Sequence, residues 1–414
     1  LISVFLSTST MLSTVAAETI HISIERNKTT NIVLATPYSL QCIIKDPNNV
    51  LTQEKKDFLQ QVFYSVFADI WHKYGYSSQE PPTVTFLIDD RFVPTDCIGS
   101  ELGNGLIALK ASVFSNINES TKDTIIHELT HIAQEYKNVN SFSWLTEGIA
   151  DYLTAEYSPH KLLPSQYADG ELYDGYTTAA GFLMWLERQY PNSIMRLHRI
   201  IQKGTISYES FQTLTGKTLP TLWKEYAGKE LPSMENYLLS CSKTSDFIKL
   251  GDYYFYGYEG KPNIEEALKY YQKAAEKNDF TALTRVADIY FSYLDKPDYQ
   301  KAYDMYKRVI DSQTFYSAYA SNAVGRLIQN GLIEGIDPSQ SEFYFKQAIS
   351  LEEKQGVASS QSSYAMEQLG DLCYRVNDPT AVVWYQKAVE YGSDHAKRML
   401  QYMIPSNKNE GKEI

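Results

Sequence analysis

Residues 124–153 read TIIHELTHIAQEYKNVNSFSWLTEGIADYL, and the two histidines in this stretch decide how the rest is read. His127 and His131 stand at i and i+4, one above the other on a single helix face, where two imidazole nitrogens can converge on one ion. Glu128 projects about 100° around the helix, outside the ligand set but within reach of a water as general base. Neutral nitrogen ligands favour zinc over calcium or magnesium, which prefer oxygen. With 7 histidines in 414 residues, chance gives this H-E-x-x-H pattern in on the order of one such chain in a hundred. A catalytic zinc takes a third protein ligand, and a second helix beginning near Ser143 brings Glu147 as that candidate.

Outward from this core, Ser120 and Asp123 have capping-box spacing and predict a helix start near Thr121. TVTFLIDD and GLIALKASVF read as strands on its N-terminal side. TQEKKDFLQQVFYSVFADIWHKYG reads as a helix, with Leu59, Val62, Phe63, Val66, Phe67 and Ile70 on one face and Gly75 as its stop. TIHISI and TNIVLATPYSLQCII read as earlier strands. After the second ligand helix, YDGYTTAAGFLMWLERQY, SIMRLHRIIQKG and TLPTLWKEY are helical. That order predicts an α+β domain.

From Leu250 an internal repeat takes over: LGDYY, VADIY, VGRLI and LGDLC are each followed by a helix of the EALKYYQKAAE kind. In register, Tyr271, Tyr306, Phe345 and Tyr385 align, as do Ala274, Val309, Ala348 and Ala388. Such helix pairs cannot bury their apolar faces alone and stack into a superhelical solenoid; the aligned aromatic and small residues are read as packing positions. The array resembles tetratricopeptide-like repeats of the Sel-one type over roughly 247–403 and implies a protein partner. PSNKNEGKEI is polar enough for a disordered tail.

A formal net charge of −12 and a pI near 5.2, without a basic run, exclude a nucleic-acid partner. Residues 1–17, LISVFLSTSTMLSTVAA, lack any charged side chain and carry Val15 and Ala17 where a signal peptidase wants small residues; they read as a truncated secretory signal peptide, with a buried first strand as the alternative. The expected location is secreted, periplasmic or cell envelope. Nothing else is long and apolar enough for a transmembrane segment. Four scattered cysteines do not make a disulfide framework; Cys42 and Cys97 are open to a bridge or to two buried thiols. Asn27 and Asn118 lie in glycosylation sequons. The expected division is 1–17 signal, 18–82 N-terminal strands and helix, 83–232 catalytic core, 233–246 linker, 247–404 four repeats and 405–414 tail.

HELTH followed by WLTEGIADY resembles the signature of gluzincin-type zinc peptidases. HELTHIAQEY, LTEGIADYL, YDGYTTAAGFLMWLE and LTGKTLPTLWKEY, in that order over about residues 85–226, resemble the plant basic secretory protein family. The resemblance implies an α+β zincin-like metallopeptidase domain followed by the all-α solenoid, with one catalytic Zn2+ on His127, His131 and Glu147. It also implies that peptide bonds are hydrolysed by a zinc-activated water with Glu128 as general base. Asp151, one turn after Glu147, is read as the carboxylate that holds a ligating imidazole by its distal N–H; an exposed acid, or a ligand in place of Glu147, remain alternatives. Tyr176 and Tyr173 are candidate oxyanion donors, although with 33 tyrosines simple packing remains an alternative for each. Trp144 and Tyr152 are expected to pack the second ligand helix on the first.

Such peptidases pair an extended substrate with a sheet edge, and GLIALKASVF is expected to supply it. No glycine-and-acid motif of the aminopeptidases precedes the metal motif, so an endopeptidase acting on peptides or proteins is expected. The acidic pI departs from the basic character of the plant family. The alternative reading is a catalytically silent peptidase-like domain in a repeat-based protein-binding scaffold.

Overall fold

The structure, a computed structural model, describes residues 39–76, 80–94, 96–136, 142–158, 169–258, 261–355 and 360–403. The signal-like stretch, TIHISI, most of TNIVLATPYSLQCII, Asn27 and the polar tail lie outside them. Four strands form one mixed sheet in the order β1 (Cys42–Lys45), β2 (Val84–Ile88), β4 (Leu106–Leu109), β3 (Gly99–Glu101). β1, β2 and β4 run parallel, and β3 is antiparallel to β4. The central strands VTFLI and LIAL are almost entirely buried, the continuous apolar run of strands covered on both faces. β3 is the short polar segment GSE, which suits an edge that must not recruit another strand indiscriminately.

This order corrects one expectation. GLIALKASVF is a strand only as far as Leu109 before a 3-10 turn at Ala111–Phe114, and it lies between β2 and β3 with both backbone edges paired. Among the described residues, the free edge beside the helices is β3.

Helix α1 (Gln53–Tyr74) starts at Thr52, whose side chain accepts from the Lys55 N–H. All six residues read as its apolar face are buried. Gly75 ends it for a steric reason: a Cβ there would meet the Trp71 ring at 2.7 Å. The end of α1 is then held by residues that sequence reading passed over. His198 Nε2 and Gln202 Nε2 donate to the Tyr74 carbonyl at 2.6 and 2.9 Å, and the Tyr136 hydroxyl reaches His198 Nδ1 at 2.8 Å.

Full burial pushes the His198 pKa down to about 4, against about 6.5 in an unfolded chain. As pH falls, the unfolded chain therefore takes up this proton first, so the contribution is complete above about 6.5 and is lost towards pH 4. On this account the protein should be about 2–3 kcal/mol less stable at pH 4.5 than at pH 7.5. His198→Gln, which can still donate to Tyr74, should lose that component. Urea denaturation at both pH values measures it, and an unchanged pH dependence in the variant would clear His198 of the effect.

Beyond the sheet come α2 (Glu119–Gln134), α3 (Ser143–Tyr157), α4 (Tyr176–Gln189), α5 (Ser193–Gln202), α6 (Tyr208–Thr215), α7 (Leu219–Ala227) and α8 (Met234–Ser240). Segment 233–246, read as a linker, contains α8, whose Tyr237 and Leu238 are buried. Tyr237 also donates to Asp174 at 2.6 Å. β1 and α1, grouped by sequence with an N-terminal segment, belong to the same sheet and core as the strands and the His127–His131 helix that follow.

Helical repeats follow: Thr244–Tyr256 with Ile264–Ala275, Phe280–Asp288 with Tyr299–Asp311, Ser317–Gln329 with Ser341–Gln355, and Ser360–Arg375 with Ala381–Glu390. Tyr271, Tyr306, Phe345 and Tyr385 are fully buried. Gly251, Gly325 and Gly370 leave room for three of these rings, since a Cβ would come within 2.4–2.7 Å of Tyr271, Phe345 and Tyr385. Tyr271, Tyr306 and Tyr385 donate to Asp252, Asp288 and Asp371, each at 2.6 Å. The third repeat replaces the pair with Phe345 and Arg326. Hydroxyl and acceptor leave together because either one buried alone would lack its partner.

The repeats are not a detached appendage. Leu250, Tyr253 and Tyr270 belong to the core of the α+β domain. Phe315 packs on the small cluster of Leu87, Phe92, Val93, Leu106 and Ala108. The Ser245 N–H donates to Asp96 at 3.2 Å. No helix among the described residues is long and apolar enough to cross a membrane. All four cysteines are free; burial pushes the Cys42 and Cys97 thiols up to about 12 and about 11.

Candidate active site

Helix α2 starts two residues earlier than the Ser120–Asp123 spacing predicts. Asn118 accepts from the Thr121 N–H at 3.1 Å, and the Thr121 hydroxyl accepts from the Asn118 N–H at 3.4 Å, a reciprocal cap. The register of His127, Glu128 and His131 is unaffected. Helix α3 packs on α2 and presents Glu147 and Asp151. Gly148 lets α4 approach from behind, since a Cβ there would come within 2.7 Å of Ala179 Cβ.

Three candidate ligand atoms converge. His127 Nε2 and His131 Nε2 are 3.0 Å apart, and Glu147 Oε2 lies 3.1 and 3.6 Å from them. His127, His131 and Glu147 are the one group among the described residues whose ligand atoms could hold a metal ion. The remaining nitrogens are already engaged. His127 Nδ1 meets Asp151 Oδ1 at 3.0 Å, and Asp151 Oδ2 accepts from the Thr177 hydroxyl at 3.0 Å. His131 Nδ1 meets Gln134 Oε1 at 2.7 Å, and Gln134 is oriented by its own donation to the Thr146 carbonyl at 3.0 Å.

Both Nδ1 atoms face acceptors and so carry the protons. Both Nε2 lone pairs are thereby aimed at the Glu147 oxygen, and three lone-pair-bearing atoms this close call for a cation between them. Two imidazoles and one carboxylate are a donor set suited to zinc, so the residues present fit that ion.

Residues 43–226 match the sequence model of a family described as peptidase of plants and bacteria. Residues 248–279, 281–311, 318–352 and 358–393 match that of the Sel1 repeat. The chain joins a peptidase-like domain to a Sel1-repeat array. No curated protein matches it. Among solved structures, a Sel1 repeat protein from Oxalobacter formigenes is similar at 18% identity, over 54% of this chain and 86% of that one, with a TM-score of 0.33.

In the peptidase-like domain, Glu128 is 6% exposed, and its Oε2 is buried with no hydrogen-bond partner among the described residues. Gly99 of β3 makes room for it, because a Cβ there would sit 2.6 Å from Glu128 Oε1. The Glu101 backbone N–H donates to the same carboxylate. Burial raises the Glu128 pKa despite both histidines, which brings it closer to the range a general base needs. Burial works against a charged His127, but the hydrogen bonds to Asp151 and Glu147 win and push it up to about 10; without a metal a proton occupies the cluster. Burial likewise opposes ionisation of Glu147, and the two histidines override it and hold its carboxyl far below the usual range.

The two tyrosine candidates part company. Tyr176 lines the cleft, its ring stacked 5.9 Å from that of His127. It has φ +43°, a left-handed backbone that tyrosine rarely adopts and that aims it from the start of α4. Tyr173 lies outside the cleft lining, buried with its ring against Tyr237; an oxyanion role does not fit that place. Trp144 is buried as expected, in one core with the apolar residues of α2, and its ring also meets Phe182 of α4 and Phe211 of α6. Tyr152 is half-buried against the same core.

Sequence reading missed Gln134, Thr177 and β3. Gln134 offered one faint cue, its position three residues after His131 on the same helix face. If it orients His131 as its bonds indicate, Gln134→Leu should weaken zinc affinity by about 10–100-fold with little change in the fold. Zinc competition with a chromophoric chelator reads this, and wild-type affinity in the variant would remove Gln134 from the site.

Proposed function

We propose that this chain is a zinc-dependent endopeptidase acting outside the cytoplasm, with the repeat array binding a protein partner or substrate. The observation that carries the reading is the convergence of His127 Nε2, His131 Nε2 and Glu147 Oε2 beside the buried, unpartnered Oε2 of Glu128. When bound there, zinc would polarise the scissile carbonyl and acidify water.

The chain's own groups supply the rest. Glu128 takes a proton from the attacking water at Oε2 and returns it to the leaving amine. The Tyr176 hydroxyl stands at the cleft to donate to the carbonyl oxygen as it gains charge. Asp151, itself held by Thr177, keeps the His127 proton on Nδ1, and Gln134 does the same for His131. The free edge of β3, beside Glu128, offers backbone groups to an extended substrate. The extracytoplasmic location rests on the uncharged run at residues 1–17.

The test is digestion of casein by the zinc-loaded full chain, before and after chelation and beside Glu128→Gln. Cleavage by the loaded wild type alone supports the proposal; a protein that binds no zinc and cleaves nothing favours the scaffold reading.

A further inference from the structure

We propose that the cleft selects peptides with a lysine or arginine side chain beside the scissile bond, received by the carboxylate of Asp123. The inference rests on the peptidase reading above and adds the substrate class to it. The cleft, about 640 Å³, follows one face of α2 through Ser120, Asp123, Thr124, His127, Glu128 and His131. Asp123 stands one turn before His127 on that face.

The Asp123 side chain is half-buried, and its Oδ1 has no hydrogen-bond partner among the described residues; no ion pair joins Asp123 to any described residue. Its neighbour Lys122 pairs with Glu119 instead. A carboxylate oxygen withdrawn from water without a donor is unfavourable, and a bound cation relieves it. Independently of charge, the buried and unpartnered Glu128 Oε2 marks the same cleft as space for a ligand.

The cleft as a whole has the same sign. Six carboxylates line it, those of Asp96, Glu101, Asp123, Glu128, Glu147 and Asp151, and no lysine or arginine does among the described residues. Lys110 acts on Cys97 from outside the lining. A divalent ion at the histidines leaves this lining net negative, so its field favours a cationic segment and opposes an acidic one. A long flexible ammonium or guanidinium arm can reach Asp123 while the backbone stays at the metal cluster and β3.

Two measurements on the zinc-loaded full chain test this. In the first, bonds cleaved in casein are sequenced by mass spectrometry. Wild type should cut next to Lys or Arg at least tenfold more often than next to Asp or Glu after correction for abundance. Asp123→Asn should move that ratio towards one, Asp123→Lys should invert it, and Asp123→Glu, which keeps the charge, should keep it. In the second, the Glu128→Gln protein is titrated with end-blocked, fluorescein-labelled Ala-Ala-Lys-Ala-Ala and its Glu counterpart, the blocked ends excluding capture of a free amino terminus. At least tenfold tighter binding of the lysine peptide is expected, and Asp123→Asn should abolish the difference.

Equal affinity for the two peptides, no binding of either, or a cleavage ratio that ignores Asp123 overturns the proposal. Lysine-selective binding with no cleavage of casein by wild type overturns the peptidase reading alone.

Discussion

Glu128→Gln should lower casein hydrolysis by about 10²–10⁴-fold, the usual contribution of a positioned general base, while zinc content stays at the wild-type level. The substitution is nearly isosteric, so the clearance that Gly99 provides and the bond from the Glu101 N–H survive. What disappears is the basic Oε2, which no donor of the described residues occupies. Initial rates and zinc per chain, measured on the same preparations, decide it. A variant that loses both activity and zinc would show Glu128 holding the cluster together rather than moving a proton, and a fully active variant would move the base elsewhere.

Removing the repeats should unfold the peptidase-like domain even though, among the described residues, none of the repeats lines the cleft. Leu250, Tyr253 and Tyr270 complete its core, and Phe315 covers the outer cluster over β2 and β4. At about 1.5–3 kcal/mol for each buried side chain, their loss is on the order of 5–10 kcal/mol, comparable with the whole stability of a typical domain. Residues 39–246 alone should therefore lack a cooperative melting transition. A milder version is Leu250→Ala, which should cost about 2–5 kcal/mol and lower the temperature at which casein cleavage is lost, with zinc stoichiometry unchanged in the cold. If residues 39–246 melted like the full chain, the shared core would be dispensable.

That coupling makes the array more than a tether. The Ser245 N–H bonds to Asp96, which lines the cleft, and Cys97 joins the cluster that Phe315 covers while itself lining the cleft. The first turn of the repeats and one wall of the cleft are thus a single packed unit.

The sequence by itself determined the features that depend on local spacing. Four residues of separation put His127 and His131 on one face whatever surrounds the helix. The three-and-four spacing of Leu59 to Ile70 marked the buried face of α1, and recurrence of the aromatic position marked the four repeats. One helical turn likewise put Glu147 and Asp151 on one face, but it took the packing of α3 on α2 to bring that face to His127. The tertiary structure decided whatever depends on where separate segments meet. Strand order cannot be read from four short strands, so the free edge fell to the polar triplet of β3 rather than to the more strand-like GLIALKASVF. Tyr173 and Tyr176 look alike in sequence, yet one is packed against Tyr237 and the other stacks on His127. Gln134, Thr177, His198 and Asp123 act through partners 12 to 124 residues away, or through the lack of one. A hydrogen bond to a distant segment leaves no periodic trace in the chain that makes it.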